Sequence, residues 1–226
     1  MAPVTLSIVV ATTGRPTLGV AVASATSQML PGDELLIVFD DSGDAGDSPR
    51  NRVLDSLHGT HIAFLDDDDE YRPGALEAMR RFARTNPDRI GIFRIDLGMW
   101  GVAWAQRDLM ASGTAMYLLP NLPDKLGRFG RAPGLPPGRV GDYKFIVETV
   151  ASLGEPVWRE EVIQDIRPVK GCTRIRHRFA LRRRLRRFVG APVPELRGAA
   201  PAYPEAREWA RQLLRRSRQK QPDSWM

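Results

Sequence analysis

His61-Ile62-Ala63-Phe64-Leu65-Asp66-Asp67-Asp68-Asp69-Glu70 is the stretch on which the fold turns. A short apolar run without polar alternation is how a strand covered on both faces reads. This one breaks abruptly into acids. Two earlier runs have the same form. Leu6-Ser7-Ile8-Val9-Val10 ends in Ala11-Thr12-Thr13-Gly14-Arg15-Pro16, and Leu35-Leu36-Ile37-Val38-Phe39 ends in Asp40-Asp41-Ser42-Gly43-Asp44. Ile90-Gly91-Ile92-Phe93 is a fourth run. Helical patterns fill the gaps at 17–29, 48–57 and 73–85, with Pro73 suited to the first position of its helix. The β-α-β-α order predicts a parallel sheet with helices on both faces. Ligands of such sheets lie beyond the carboxyl ends of the strands, which is where the polar residues gather. Neither G-x-G-x-x-G nor G-x-x-x-x-G-K-[ST] follows any strand, which argues against a dinucleotide-dependent dehydrogenase and a P-loop NTPase.

Further along, the pattern breaks up between 98 and 140, with Trp100, Trp104 and one clear strand over 114–119. Gly127 to Gly141 holds five glycines and three prolines, which predicts a mobile loop rather than a packed element. A helix is expected from Asp142 to about Ser152, with Asp142 as its N-cap, and a last strand over 157–166.

The 226 residues suffice for one domain that buries roughly 70% of its unfolded surface without a metal or disulfide staple. A hydrophobic fraction of 42% excludes a wholly disordered chain. No run of about 18 apolar residues occurs, and Met1–Val10 lacks a basic leader, so neither a membrane span nor a signal peptide is expected. The single cysteine, Cys172, excludes an internal disulfide framework and fits a reducing, cytoplasmic setting. The net charge of +6 is unevenly spread: 17 Lys and Arg against 23 Asp and Glu in residues 1–169, and 16 against 4 in residues 170–226. The expected division is therefore an acidic domain over 1–169 and a basic helical extension over 170–226, whose charge suits an anionic partner.

Four consecutive aspartates packed at a strand end repel one another, a cost to the fold. A hard divalent cation held by oxygen ligands, Mg²⁺ or Mn²⁺, removes that cost. A second pair, Asp40 and Asp41, stands at the neighbouring strand end.

Taken in order, these motifs resemble glycosyltransferase family 2. Ser7 to Pro16 resembles that family's opening strand and its Asn-Arg-Pro turn, and Phe39-Asp40-Asp41-Ser42-Gly43 resembles its Val-Asp-Asp-Gly-Ser. Arg50-Asn51 is similar to its Ala-Arg-Asn, and Ile62 to Tyr71, with Pro73 and Leu76 downstream, to its DxD segment. Gly141-Asp142-Tyr143-Lys144-Phe145 resembles its Glu-Asp-x-x-Phe, and Arg167 with Gly171-Cys172-Thr173 resembles its closing motif. The resemblance covers roughly residues 5–175. It implies a GT-A fold: a Rossmann-type, mostly parallel sheet flanked by helices, here with the basic helical C-terminal extension. It also implies a nucleotide-sugar donor, most often UDP-linked, a divalent metal, and inversion at the sugar carbon.

Carried over by residue, the resemblance makes Asp142 the general base and Asp66 and Asp68 the metal-side carboxylates. Asp67 faces the ribose or the metal. Asp41 accepts from the N3–H of uracil, Asp40 supports that turn, and Thr12, Thr13 and Arg15 line the nucleotide pocket. Thr13 stands where the family has an aromatic residue, and Gly141 where it has Glu. The family's closing histidine falls at Val169, with His177 as a candidate replacement.

In the tail, Leu181, Leu185, Phe188 and Val189 form one apolar stripe on a helix studded with arginines, and 203–218 is a second basic amphipathic helix carrying Trp209, Leu213 and Leu214. Three readings stand side by side: helices docked on the domain, phosphate contacts with nucleic acid, or an anionic membrane surface. They leave the acceptor as a hydroxyl on DNA or on a membrane-held glycan. A protein of another class, a nucleic-acid-binding module on a catalytically silent scaffold, would lack the need for an intact Asp66–Asp69 run and Asp142.

Overall fold

The computed structural model describes residues 3–97, 102–103, 107–135, 141–166 and 203–220. In chain order these form β1 (Leu6–Thr12), α1 (Leu18–Thr26), β2 (Glu34–Phe39), α2 (Asp47–Val53, prolonged by a 3-10 turn at Leu54–Ser56) and β3 (His61–Asp66). Then come β4 (Glu70–Tyr71), α3 (Ala75–Thr85), β5 (Gly91–Asp96), β6 (Val102–Ala103), β7 (Tyr117–Pro120), α4 (Asp142–Leu153), β8 (Val157–Asp165) and α5 (Pro204–Lys220). One sheet runs β2-β1-β3-β7-β5-β8-β4, with β6 beside β5. β1, β2, β3, β5 and β8 point one way, and β4, β6 and β7 oppose them. The chain steps from β1 outward to β2 and then returns to β3 on the other side of β1. That reversal opens a crevice at the carboxyl ends of these three strands.

Helices cover both faces of the central strands β1 and β3, which is why these lack polar alternation. Leu6, Ile8 and Val10 of β1 pack with Ala21 of α1 and with Leu76, Met79 and Phe82 of α3. Val9 looks the other way, into a cluster with Leu54, Phe64 and the α4 residues Phe145, Ile146 and Val150.

Several local expectations are corrected. Pro73 precedes α3 rather than opening it: Gly74, with φ of 83°, is the N-cap, and the helix starts at Ala75. The strand expected over 114–119 begins with a 3-10 turn at Thr114–Met116, and only Tyr117–Pro120 pairs. β4 and β6 are two-residue strands, too short for a local pattern to announce them; β4 pairs with β8, far along the chain, and β6 turns back on β5. The Gly/Pro-rich segment has no regular structure over 127–135, yet it is packed: Leu126, Phe129, Ala132 and Leu135 are buried. Phe129 stacks on Phe145 with ring centroids 4.1 Å apart, and Asn51 of α2 makes two 2.9 Å hydrogen bonds with the Phe129 backbone. Glycine lets this backbone approach α4 closely, since a Cβ on Gly127 would lie 2.3 Å from the Phe145 carbonyl oxygen.

α5 docks on α4. Ala206 and Ala210 are buried against Tyr143 and Val147, with Trp209 and Leu213 beside them. Arg207 pairs with Asp108 at 2.7 Å, and Arg218 pairs with Glu155. Arg211, Arg215 and Arg216 face solvent. Trp100, Trp104, Arg167, Val169, Gly171-Cys172-Thr173, His177, the helix expected near 178–189 and the 169/170 boundary lie outside the described residues. Among the described residues, no helix is long and apolar enough to cross a membrane.

The Arg80–Asp33 ion pair joins α3 to the start of β2, with side chains only 3% and 1% exposed. Asp33 also accepts from the Leu6 and Leu30 amides at 2.8 and 2.7 Å. Removing one partner of a buried pair leaves the other charge uncompensated. Arg80→Met should therefore cost about 3–5 kcal/mol in urea unfolding. The double variant with Asp33→Asn should recover part of that loss.

Candidate active site

The site is assembled from strand ends. Ala11 of β1 is in register with Asp66 at the end of β3, and Thr12 with Phe39 at the end of β2. Beyond these pairs the chain turns away, leaving backbone and polar side chains at the crevice.

Thr12 is buried, and its hydroxyl donates to Asp67 at 2.6 Å while accepting from the Gly14 amide at 2.9 Å. Arg15, reaching back from the β1–α1 turn, contacts Asp67 at 3.1 Å and Asp68 at 2.8 Å. Asp67 and Asp69 are buried, whereas the side chains of Asp66 and Asp68 keep 40% and 18% of their surface exposed. Burial pushes Asp68 above the usual carboxylate range; Arg15 pulls it back, and the charges of Asp66 and Asp67 push it further up. Asp66 meets Arg50 of α2 at 2.5 Å, and Arg50 also donates to the Ala45 carbonyl at 3.0 Å. Gly46, at φ of 87°, makes room for this arrangement: a Cβ there would lie 2.6 Å from an Arg50 guanidinium nitrogen.

Asp40 serves the β2–α2 loop. Its carboxylate accepts from the amides of Ser42, Gly43 and Gly46 and from the Ser42 hydroxyl. The Ser42 hydroxyl leads the contacts that hold it below its usual pKa. Asp41 is left facing solvent, its side chain 78% exposed and 3.1 Å from Arg52. Thr13, beyond the end of β1, is exposed.

Asp142 is the first residue of α4, and Gly141 takes the N-cap position assigned to it above; no side chain caps the helix. Its carboxylate turns instead toward the Thr114 amide, at 3.4 Å. Burial raises its pKa to about 6. Arg50 opposes that rise, Asp66 and Asp47 add to it, and the Thr114 amide lowers it. Asp47, also raised by burial, accepts from the Gly141 amide at 3.1 Å. No side chain fits at 141, because a Cβ would lie 2.2 Å from the Gly130 amide nitrogen and 2.5 Å from the Asp47 carboxylate. The mouth therefore holds a carboxylate poised near neutrality on α4 and two accessible carboxylates at the end of β3, with Arg50 facing Asp142 and Asp66 and Arg15 facing Asp68.

Arg50 is the residue whose role went unread in the sequence, although its place in an Arg-Asn pair was the available signal. Asp47 and Thr114 had no local signal.

Among the described residues no group of three His, Cys, Asp or Glu could hold a metal. Two carboxylates with oxygen-only chemistry nevertheless suit a hard cation that keeps several waters and takes its remaining ligands from substrate phosphates. Burial and the neighbouring charges of Asp66 and Asp67 both raise Asp68, and such a cation would offset them.

No protein-family profile matches the chain, and no curated protein matches it in sequence. Solved structures do match in fold. S. aureus TarS 1-349 in complex with UDP-GlcNAc superposes with a TM-score of 0.61 at 14% identity, over 74% of this chain and 59% of that one. Another structure of S. aureus TarS 1-349 gives 0.59 at 14% identity, over 71% of this chain and 60% of that one. The mannosyltransferase PcManGT from Pyrobaculum calidifontis, in complex with GDP-Man and Mn²⁺, gives 0.55 at 13% identity, over 98% of this chain and 76% of that one. The chain spans about three fifths of the length of the TarS 1-349 structures. These likenesses establish the fold, a mixed α/β glycosyltransferase fold of the GT-A kind.

Proposed function

We propose that this chain is an inverting, metal-dependent glycosyltransferase of the family 2 kind. It would transfer a sugar from a nucleotide-sugar, UDP-linked, to an acceptor hydroxyl. The observation that carries this reading is Asp142: a carboxylate with its pKa raised to about 6 opens a helix at the mouth where the acidic strand end of β3 also emerges. Proton transfer at neutral pH is best served by a group of that pKa.

In the reaction, the acceptor oxygen forms a bond to the anomeric carbon as the carbon–oxygen bond to the diphosphate breaks. The acceptor proton passes to the Asp142 carboxylate, and the nucleoside diphosphate leaves. A single displacement inverts the anomeric carbon. Thr12, Thr13, Arg15, Asp40, Asp41 and Asp67 shape and line the nucleotide side, with Asp40 holding the loop that presents Asp41. Asp66 and Asp68 would hold Mg²⁺ or Mn²⁺, which when bound supplies positive charge for the departing diphosphate. The GDP-Man and Mn²⁺ bound by PcManGT and the UDP-GlcNAc bound by TarS support a nucleotide-sugar donor and a metal.

The basic extension supports an anionic acceptor, DNA carrying a hydroxylated base being the first candidate. Solvent-facing Arg211, Arg215 and Arg216 of α5 stand on the helix that braces α4, while residues 1–169 are net acidic and repel polyanions. Duplex DNA should bind with a log affinity that falls linearly with log salt. Competition by anionic liposomes, with no binding of DNA, would assign the acceptor to a membrane-held glycan instead.

The donor side is tested by calorimetry. UDP should bind with Mn²⁺ and lose most of its affinity in EDTA. Asp68→Ala should weaken this metal-dependent binding more than Asp69→Ala, because Asp69 is buried whereas the Asp68 side chain keeps 18% of its surface exposed. Full-strength UDP binding in EDTA would refute the metal assignment.

A further inference from the structure

Phe39 ends β2 with 64% of its surface exposed, whereas Phe64, Phe82, Phe93, Phe129 and Phe145 are each at most 4% exposed. Burying such a ring is worth about 1.5–3 kcal/mol, so a phenylalanine held in water at a fixed strand position calls for an explanation. Register fixes its place. Phe39 pairs with Thr12, and the next amide, Asp40, donates to the Thr12 carbonyl at 2.7 Å. The ring thus stands at the carboxyl end of the β1–β2 pair, at the crevice itself. Its neighbour across the strands is Gly14, in the left-handed region at φ of 83°, where a Cβ would lie 3.5 Å from the ring. Thr13 and Gly14 are short and exposed, and Arg15 of the same turn is engaged with Asp67 and Asp68.

The rim beside the ring is polar. Arg52 donates to the Phe39 carbonyl at 2.6 Å and to Asp41 at 3.1 Å, and both side chains are at least half exposed. Ile37, on the same face of β2, is also exposed at 45%, but the donor and acceptor groups occur at the Phe39 end of the strand. A flat apolar face bordered by one carboxylate and one guanidinium matches a heterocyclic base, which stacks through its π-face and hydrogen-bonds through its edge.

We propose that Phe39 is the platform on which the donor's nucleobase stacks, with Asp41 and Arg52 meeting the edge of the base. The inference rests on the nucleotide-sugar reading above and adds to it the residue that holds the base. Being exposed, Phe39 tolerates replacement without loss of the fold, which unchanged thermal unfolding would verify.

The test is calorimetric titration of UDP and of inorganic pyrophosphate, each with Mn²⁺, into the wild-type chain, Phe39→Ala and Phe39→Tyr. Phe39→Ala should weaken UDP about 10-fold or more and leave pyrophosphate unchanged, with Phe39→Tyr close to wild type. Equal UDP affinity in wild type and Phe39→Ala overturns the stacking role, and does so whether or not the Ala variant changes the apparent mass in solution. Equal weakening of UDP and pyrophosphate also overturns it, since the loss would then not belong to the base. A wild-type chain that binds pyrophosphate but no nucleotide defeats the donor reading itself, a result distinct from either of these.

Discussion

Asp142→Asn should lower the transfer rate about 10²–10⁴-fold while leaving UDP affinity near that of wild type, because it removes the proton acceptor without touching the nucleotide side. The wild-type rate should rise with pH through about 6 and then level, following ionisation of the carboxylate. The same substitution should stabilise the protein at neutral pH. The folded chain holds the Asp142 proton more tightly than the unfolded chain, in which the group titrates near 3.8. Its contribution to stability is therefore complete below the unfolded value and lost as pH rises through about 6. Asn never ionises, so thermal unfolding at pH 8 should show the variant more stable by about 1–2 kcal/mol, and the difference should vanish below pH 4. A variant that keeps full activity would place the base on another residue.

Arg50→Met should cost about 2–4 kcal/mol of stability at pH 7 and move the activity midpoint upward. Arg50 is 5% exposed, and its charge faces Asp66 directly and lowers the pKa of both Asp47 and Asp142. Without it, carboxylates already raised by burial lose the cation that offsets them. The destabilisation should shrink as pH falls and those groups protonate. Arg50→Lys keeps a charge but not the planar reach to both Asp66 and the Ala45 carbonyl, so it should restore the pH midpoint more fully than the stability. An unchanged pH–rate profile in Arg50→Met would show that Arg50 braces the loop without tuning the base.

The fold class was legible because strands buried on both faces have no room for polar alternation. The runs at Leu6–Val10 and His61–Leu65 marked the sheet in this way, the edge-strand run Leu35–Phe39 did so although it is only partly buried, and the polar ends of all three marked the crevice. The basic amphipathic helix near 203–218 was legible from its period, and it forms over Pro204–Lys220. The packed loop over 126–135 was not legible. Its glycines read as freedom, whereas Gly127 is small because the α4 backbone lies against it.

What the amino-acid sequence determined by itself is the local chemistry: apolar strands, acids at their ends, and a basic amphipathic helix near the chain's end. Tertiary structure alone decided which charges meet. Arg15 lies 52 residues from Asp67, and Asp47 lies 94 from Gly141, yet each pair is within 3.1 Å. Such meetings follow from the sheet order and from the seating of α4 against α2 and the 126–135 loop. They set how Asp142 is desolvated and which cation offsets its charge, because burial and Coulomb interaction depend on distance through space rather than along the chain.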